Sequence, residues 1–151
     1  MSILKKSIIA SSLVLTVSLI AQLPTTAAPV SDSQAPEGSL KLVMQGLLSN
    51  TQQLTEAVLT EDFVRIENIA KNIAEHPKPS MATRMKLMKA LGAEMAKFKA
   101  NDDVVHNAAV DMIGNAQSKD IKAVGKNFQT MISGCLSCHG EFKSKVSAIL
   151  K

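Results

Sequence analysis

Three features of this sequence predict an all-α chain folded as an antiparallel up-down four-helix bundle. Apolar residues recur at steps of three and four over long stretches. No segment alternates at period two for long enough to make a strand, and the links between the periodic stretches are short. Composition agrees. Of 151 residues, 46% are hydrophobic and only 3% aromatic, with no Trp and no Tyr. That is too apolar for disorder and too poor in aromatic and β-branched runs for a β-sandwich. Two cysteines cannot build a disulfide scaffold.

Residues 1–28 read as a cleaved secretory signal peptide. Lys5 and Lys6 form a basic start, Ser7 to Ile20 is uncharged and apolar, and Thr25-Thr26-Ala27 fits a small-x-small cleavage site. The competing reading is a membrane anchor, but the 14 residues of the uncharged run fall short of the roughly 20 that a bilayer needs. Export through the Sec pathway would make the mature protein periplasmic, with no membrane anchor after cleavage. Taking 28 residues from 151 leaves 123, and taking Lys5 and Lys6 from 17 basic residues leaves 15 against 13 acidic ones. No basic block is interleaved with aromatics, which argues against nucleic acid as a partner.

The mature chain starts with a flexible leader, residues 29–38, followed by a helical domain, residues 39–151. The first helix is predicted from Ser39, a candidate N-cap, to Leu59, on a stripe that includes Leu40, Val43, Met44, Leu47, Leu48, Leu54 and Val58. Thr60-Glu61-Asp62 is read as opening the second, since a capping hydroxyl and acids suit a helix N-terminus. Its stripe is Phe63, Ile66, Ile69, Ala70 and Ile73, and Pro77 and Pro79 end it. Ser80 restarts the pattern, with Met85, Met88, Leu91, Met95 and Phe98 read as one face and Gly92 as a weak point. Ala100-Asn101-Asp102 reads as a second candidate break. Val104 to Ala116 continues the pattern up to a turn at Ser118-Lys119-Asp120. The last helix holds Ile121, Val124, Phe128, Met131, Cys135, Cys138 and Phe142 and reaches toward Leu150.

The chemistry lies in Cys135-Leu136-Ser137-Cys138-His139. Cys-x-x-Cys-His is the attachment signature of c-type haem. Thiols at i and i+3 share one helical face, where they can add across the two vinyl groups of one porphyrin, and the adjacent His139 offers an imidazole to the iron. A zinc site would need further cysteines. A thioredoxin-like pair would open a helix after a strand, and a plain disulfide leaves His139 without a purpose. The signature therefore predicts one covalent haem c, with Cys135 and Cys138 as thioether donors and His139 as proximal ligand.

Gly134-Cys135-Leu136-Ser137-Cys138-His139-Gly140-Glu141-Phe142-Lys143, late in a four-helix chain, resembles the cytochrome c′ family, the class II cytochromes c. The aromatic-plus-basic pair Phe142-Lys143 is similar to the family's, as is the spacing from Phe98 to Cys135. The resemblance implies a left-handed antiparallel bundle with haem along one edge and a homodimer through the first two helices. It also implies one of two distal arrangements. The segment from Leu40 to Leu47 resembles the low-spin branch, in which a Met, here Met44, is the sixth iron ligand. The family's Arg four residues earlier is Leu40 in this chain, with Lys41 beside it. The reading that follows is a periplasmic electron carrier, not an enzyme, working with redox partner proteins. The alternative is a high-spin, five-coordinate protein binding small gases such as nitric oxide.

Other candidates read as structural. Met81, Met85, Met88, Met95 and Met112 are expected in the core, and Met131 lies on the proximal side of the haem. His106 reads as solvent-facing, and His76, in a proline-rich loop, as structural or surface. Lys41, Lys122, Lys126, Lys143 and Lys145 read as a solvated face, or as a docking surface around the haem edge.

Overall fold

The computed structural model describes residues 37–150. The predicted signal peptide, nearly all of the leader and Lys151 lie outside them. Five helices follow in order: α1, Leu40–Leu59; α2, Phe63–Ala74; α3, Met81–Leu91; α4, Met95–Gln117; and α5, Ile121–Ile149. The bundle consists of α1, α2, α4 and α5, and no strand occurs among the described residues.

Local chemistry sets the helix boundaries. The hydroxyls of Ser39 and Ser80 and the carboxylates of Asp62 and Asp120 accept from backbone N–H groups of the first turns of α1, α3, α2 and α5. Thr60 therefore ends α1 and Asp62 starts α2, two residues later than the hydroxyl-first reading of that turn. Asn101 and Asp102 do not break the chain, because α4 runs straight through them. The interruption is Gly92, at φ 51°, a left-handed position that favours glycine, followed by a single 3₁₀ turn.

That break re-aims α3 and overturns one expected face. Met81, Met85 and Met88 are 62%, 56% and 54% exposed, while Leu87 and Leu91 are buried. After Gly92 the α3 stripe no longer continues that of α4, so the leucine pair meets α5 and the methionines turn to solvent. Met95 is half-buried and Met112 and Met131 are fully buried, as expected.

The core has two parts. The larger cluster joins Leu54 and Ala57 of α1, Ile66, Ile69, Ala70 and Ile73 of α2, Ala108, Ala109, Met112 and Ala116 of α4, and Val124 and Met131 of α5. The smaller joins Leu87 and Leu91 to Phe142 and Val146, bordered by Leu40, Met95, Phe98 and Cys138. Phe98 and Phe142 meet edge to face with centroids 5.4 Å apart, a favoured aromatic geometry. Helix α4 packs along both α2 and α5, and α1 packs along α2, but α1 and α5 scarcely touch. The ring of four helices is open on that one side. No described helix is long and apolar enough to cross a membrane.

Candidate haem-binding cleft

The gap between α1 and α5 is a cleft of about 210 Å³. From α1 it is lined by Met44, Leu47, Leu48 and Thr51; from α4 by Asn101, Asp102 and Val105; and from α5 by Ile132, Cys135, Leu136, Cys138 and His139. Met44, Cys135, Cys138 and His139, separated by up to 95 positions in the chain, thus share one cavity. A wider cleft of about 680 Å³ adjoins it. Met44 and His139 line both, and the wider one adds Ser39, Leu40, Lys41, Ser80, Thr83, Lys86 and Lys143.

Helical spacing explains the grouping on α5. Cys135 and Cys138 are one turn apart and His139 is one turn beyond Cys135. Gly134 sets the depth of this face, because a Cβ there would stand 3.0 Å from methyl carbons of both Val104 and Val105. Its missing side chain lets α4 approach directly behind Cys135. Both cysteines are free thiols, half-buried. Burial pushes both thiols above their ordinary range, and for Cys138 the neighbouring Asp102 carboxylate adds to the effect.

The residues present fit a haem. Leu48 and Leu136 are 59% and 67% exposed although both are large and apolar. They flank the cleft from opposite helices, and a flat apolar ring between them would remove that surface from water. The donor set is equally suited: two thiols for covalent attachment, an imidazole and a thioether. Cys135 and Cys138 would hold the ring, and His139 and Met44 offer an imidazole and a thioether that could ligate its iron.

Two further features of the site were not evident from the sequence. Asp102 sits on the cleft wall and holds His76, whose Nε2 lies 3.7 Å from its carboxylate. The His76 Nδ1–H donates to the Pro77 carbonyl at 3.1 Å. The Asp102 carboxylate raises His76 above the usual imidazole range against the opposing effect of burial, and His76 lowers Asp102. His106, exposed as expected, donates from Nδ1 to the Ala74 carbonyl at 3.0 Å. Both histidines thus fasten the end of α2 to α4 behind the cleft. No local pattern could reveal these pairings, since the partners lie 26 and 32 positions apart.

No curated protein and no solved structure gave a match. A family model described as cytochrome C′ matches residues 38–143, a span that includes Met44, Cys135, Cys138 and His139 and reaches from the start of α1 into the last turns of α5. On this match, on the helical bundle and on a cleft that gathers those four side chains, the chain is a c-type cytochrome belonging to the cytochrome c′ family, whose haem c is bound covalently.

Proposed function

We propose that this chain is an exported monohaem electron carrier, not an enzyme, with His139 and Met44 as the two axial ligands of its iron. The observation that carries the reading is that Met44 of α1 and His139 of α5 come from opposite walls of the same cleft. Bound haem supplies a one-electron iron couple whose potential depends on its axial ligands and burial.

The chain's own residues do the rest. Cys135 and Cys138 would hold the ring through two thioether bonds. His139 is held in place because it follows Cys138 directly on a rigid helix. Met44 is set by the packing of α1 on α2 through Leu54 and Ala57. With the ring in place, Leu48, Leu136, Leu47 and Ile132 would keep water from it, which lowers the local dielectric and keeps rearrangement on electron transfer small. Export is supported by the composition of residues 1–28 and by the Cys-x-x-Cys-His signature, since c-type haem is attached outside the cytoplasm.

Met44→Ala tests the ligand assignment. The wild-type ferric protein is expected to have a low-spin optical spectrum. The variant should turn high-spin, fall in potential and bind carbon monoxide in the space left behind, while keeping its helicity, because the α1 anchors Leu54 and Ala57 are untouched. A wild type already five-coordinate would assign Met44 to packing alone and leave the gas-binding reading in its place; a low-spin wild type with an unchanged variant spectrum would assign the sixth position to another residue.

A further inference from the structure

Ion pairing sorts the lysines around the cleft. Lys97, Lys99 and Lys145 are paired with Glu141, Asp103 and Glu94. Lys41, Lys86 and Lys143, which line the wider cleft beside Met44 and His139, have no ion-pair partner among the described residues. Lys86 belongs to a longer basic stretch. Residues 76–93 carry Lys78, Arg84, Lys86 and Lys89 and not a single Asp or Glu, and none of the four is ion-paired among the described residues.

This stretch also holds the exposed methionines. At about 100° per residue, Met81, Met85 and Met88 fall within roughly 60° of one another on α3, with Arg84 on one flank and Lys89 and then Lys86 on the other. A contiguous exposed apolar strip rimmed by polar residues marks a candidate interaction surface. An apolar centre enriched in Met and Arg, with a charged rim, is the make-up of protein–protein interfaces.

We propose that α3 is the docking face for an acidic protein partner in one-electron exchange, with Lys86 where that face meets the ligand cleft. The proposal rests on the electron-carrier reading above. In the exchange, one electron leaves the ferrous iron and enters a one-electron oxidant carried by the partner, and no atom is transferred. Haem brings two propionates and Glu37 adds one acid, which together leave the six cations Lys41, Lys78, Arg84, Lys86, Lys89 and Lys143 in excess. A protein fits better than an anionic bilayer. Lys41, Lys86 and Lys143 line a concave cleft, so their charges are recessed from a flat lipid surface. The apolar strip is also thioether, without the Trp, Phe or Leu typical of membrane-surface helices.

The test uses the haem-loaded full-length protein, reduced and mixed at low salt with three oxidants: trianionic ferricyanide, tricationic tris(phenanthroline)cobalt(III), and oxidised plastocyanin as an acidic protein. Two variants carry the same change in net charge, Lys86→Glu/Lys89→Glu on α3 and Lys122→Glu/Lys126→Glu on α5. All four positions are exposed, and circular dichroism checks that the fold is kept. The α3 pair should slow ferricyanide and plastocyanin about tenfold and speed the cobalt reagent, with the differences shrinking as salt is raised. The α5 pair should change each rate less than twofold. Equal effects from the two pairs, or none from either, would overturn the proposal. So would sedimentation of the wild type, but not the α3 variant, with phosphatidylglycerol vesicles while plastocyanin rates stay unchanged. A wild type that exchanges electrons with none of the three oxidants would instead refute the carrier reading itself.

Discussion

The edge where α2 meets α4 and the edge where α1 meets α5 are made from the same kinds of residue to opposite ends. Along the first, Ile66, Ala70, Ile73, Ala108, Ala109 and Met112 close over one another with almost no exposure. Small alanines on one helix receive branched side chains from the other, so the backbones come close. Along the second, Leu48 and Leu136 stand open and the half-buried donors Met44, Cys135 and Cys138 line a cavity. Hydrophobicity alone does not tell a packed edge from a waiting one. The distinguishing sign is leucine exposure beside side chains with sulfur or imidazole to offer.

The largest expected effect removes the residues that would hold haem along the α1–α5 edge. Cys135→Ala/Cys138→Ala should abolish all porphyrin retained through acid–organic extraction. Hydrogen exchange should then show α1 losing protection while α2 and α4 keep most of theirs, because only α1 and α5 depend on a bridging group. Uniform loss of protection across all helices would mean that the two edges are not independent.

Single truncations sharpen the contrast. Ile66→Ala on the closed edge should cost about 2–5 kcal/mol. Leu48→Ala on the open edge should cost less than about 1 kcal/mol in haem-free protein, since an exposed side chain gives up little by truncation. Denaturant midpoints of the two variants measure the difference directly. Gly134→Leu lies between these cases. It drives a side chain into the stiff Val104 and Val105 and should cost about 1–3 kcal/mol, seen as a lower melting temperature.

The smallest effect is pH-dependent. His76, raised in the folded state, contributes stability that is complete below the usual imidazole range and is lost as pH rises through its raised value. Asp102, lowered in the folded state, contributes stability present above the usual carboxylate range and lost as pH falls through its lowered value. The pair therefore stabilises only between those limits. Both groups are partly open to water, so the contribution is below about 1 kcal/mol. His76→Ala should flatten the stability profile within that window and leave it unchanged at alkaline pH.

The bundle and the thiol–imidazole run were legible because both are local patterns: a period near 3.6, Ser and Asp caps, and five consecutive residues with one chemical purpose. The errors are equally physical. Met81, Met85 and Met88 fit a helical stripe as well as Leu87 and Leu91 do, and only the direction α3 takes after Gly92 decides which face is covered. Thr60 and Asp62 both qualify as caps, and the left-handed residue between them, Glu61 at φ 54°, assigns one to each helix. Asp102 read as a candidate break or cap, because its partner His76 lies 26 positions away, just beyond α2.

Helix α5, 29 residues long, extends about 44 Å and is gripped near both ends. Val124 and Met131 sit in one cluster, Phe142 and Val146 in the other, and Cys135 to His139 occupy the span between. Helix α1 is held in the same manner by Leu54 and Ala57 at one end and Leu40 at the other, with Met44 between. The two helices behave as beams resting on shared supports. The separation of Met44 from His139 is then set by the supports and not by anything that presses directly between them. If Met44 and His139 ligate the iron as proposed, such a span would resist the small pull of a change in iron charge, and the oxidised and reduced proteins would then have nearly the same shape.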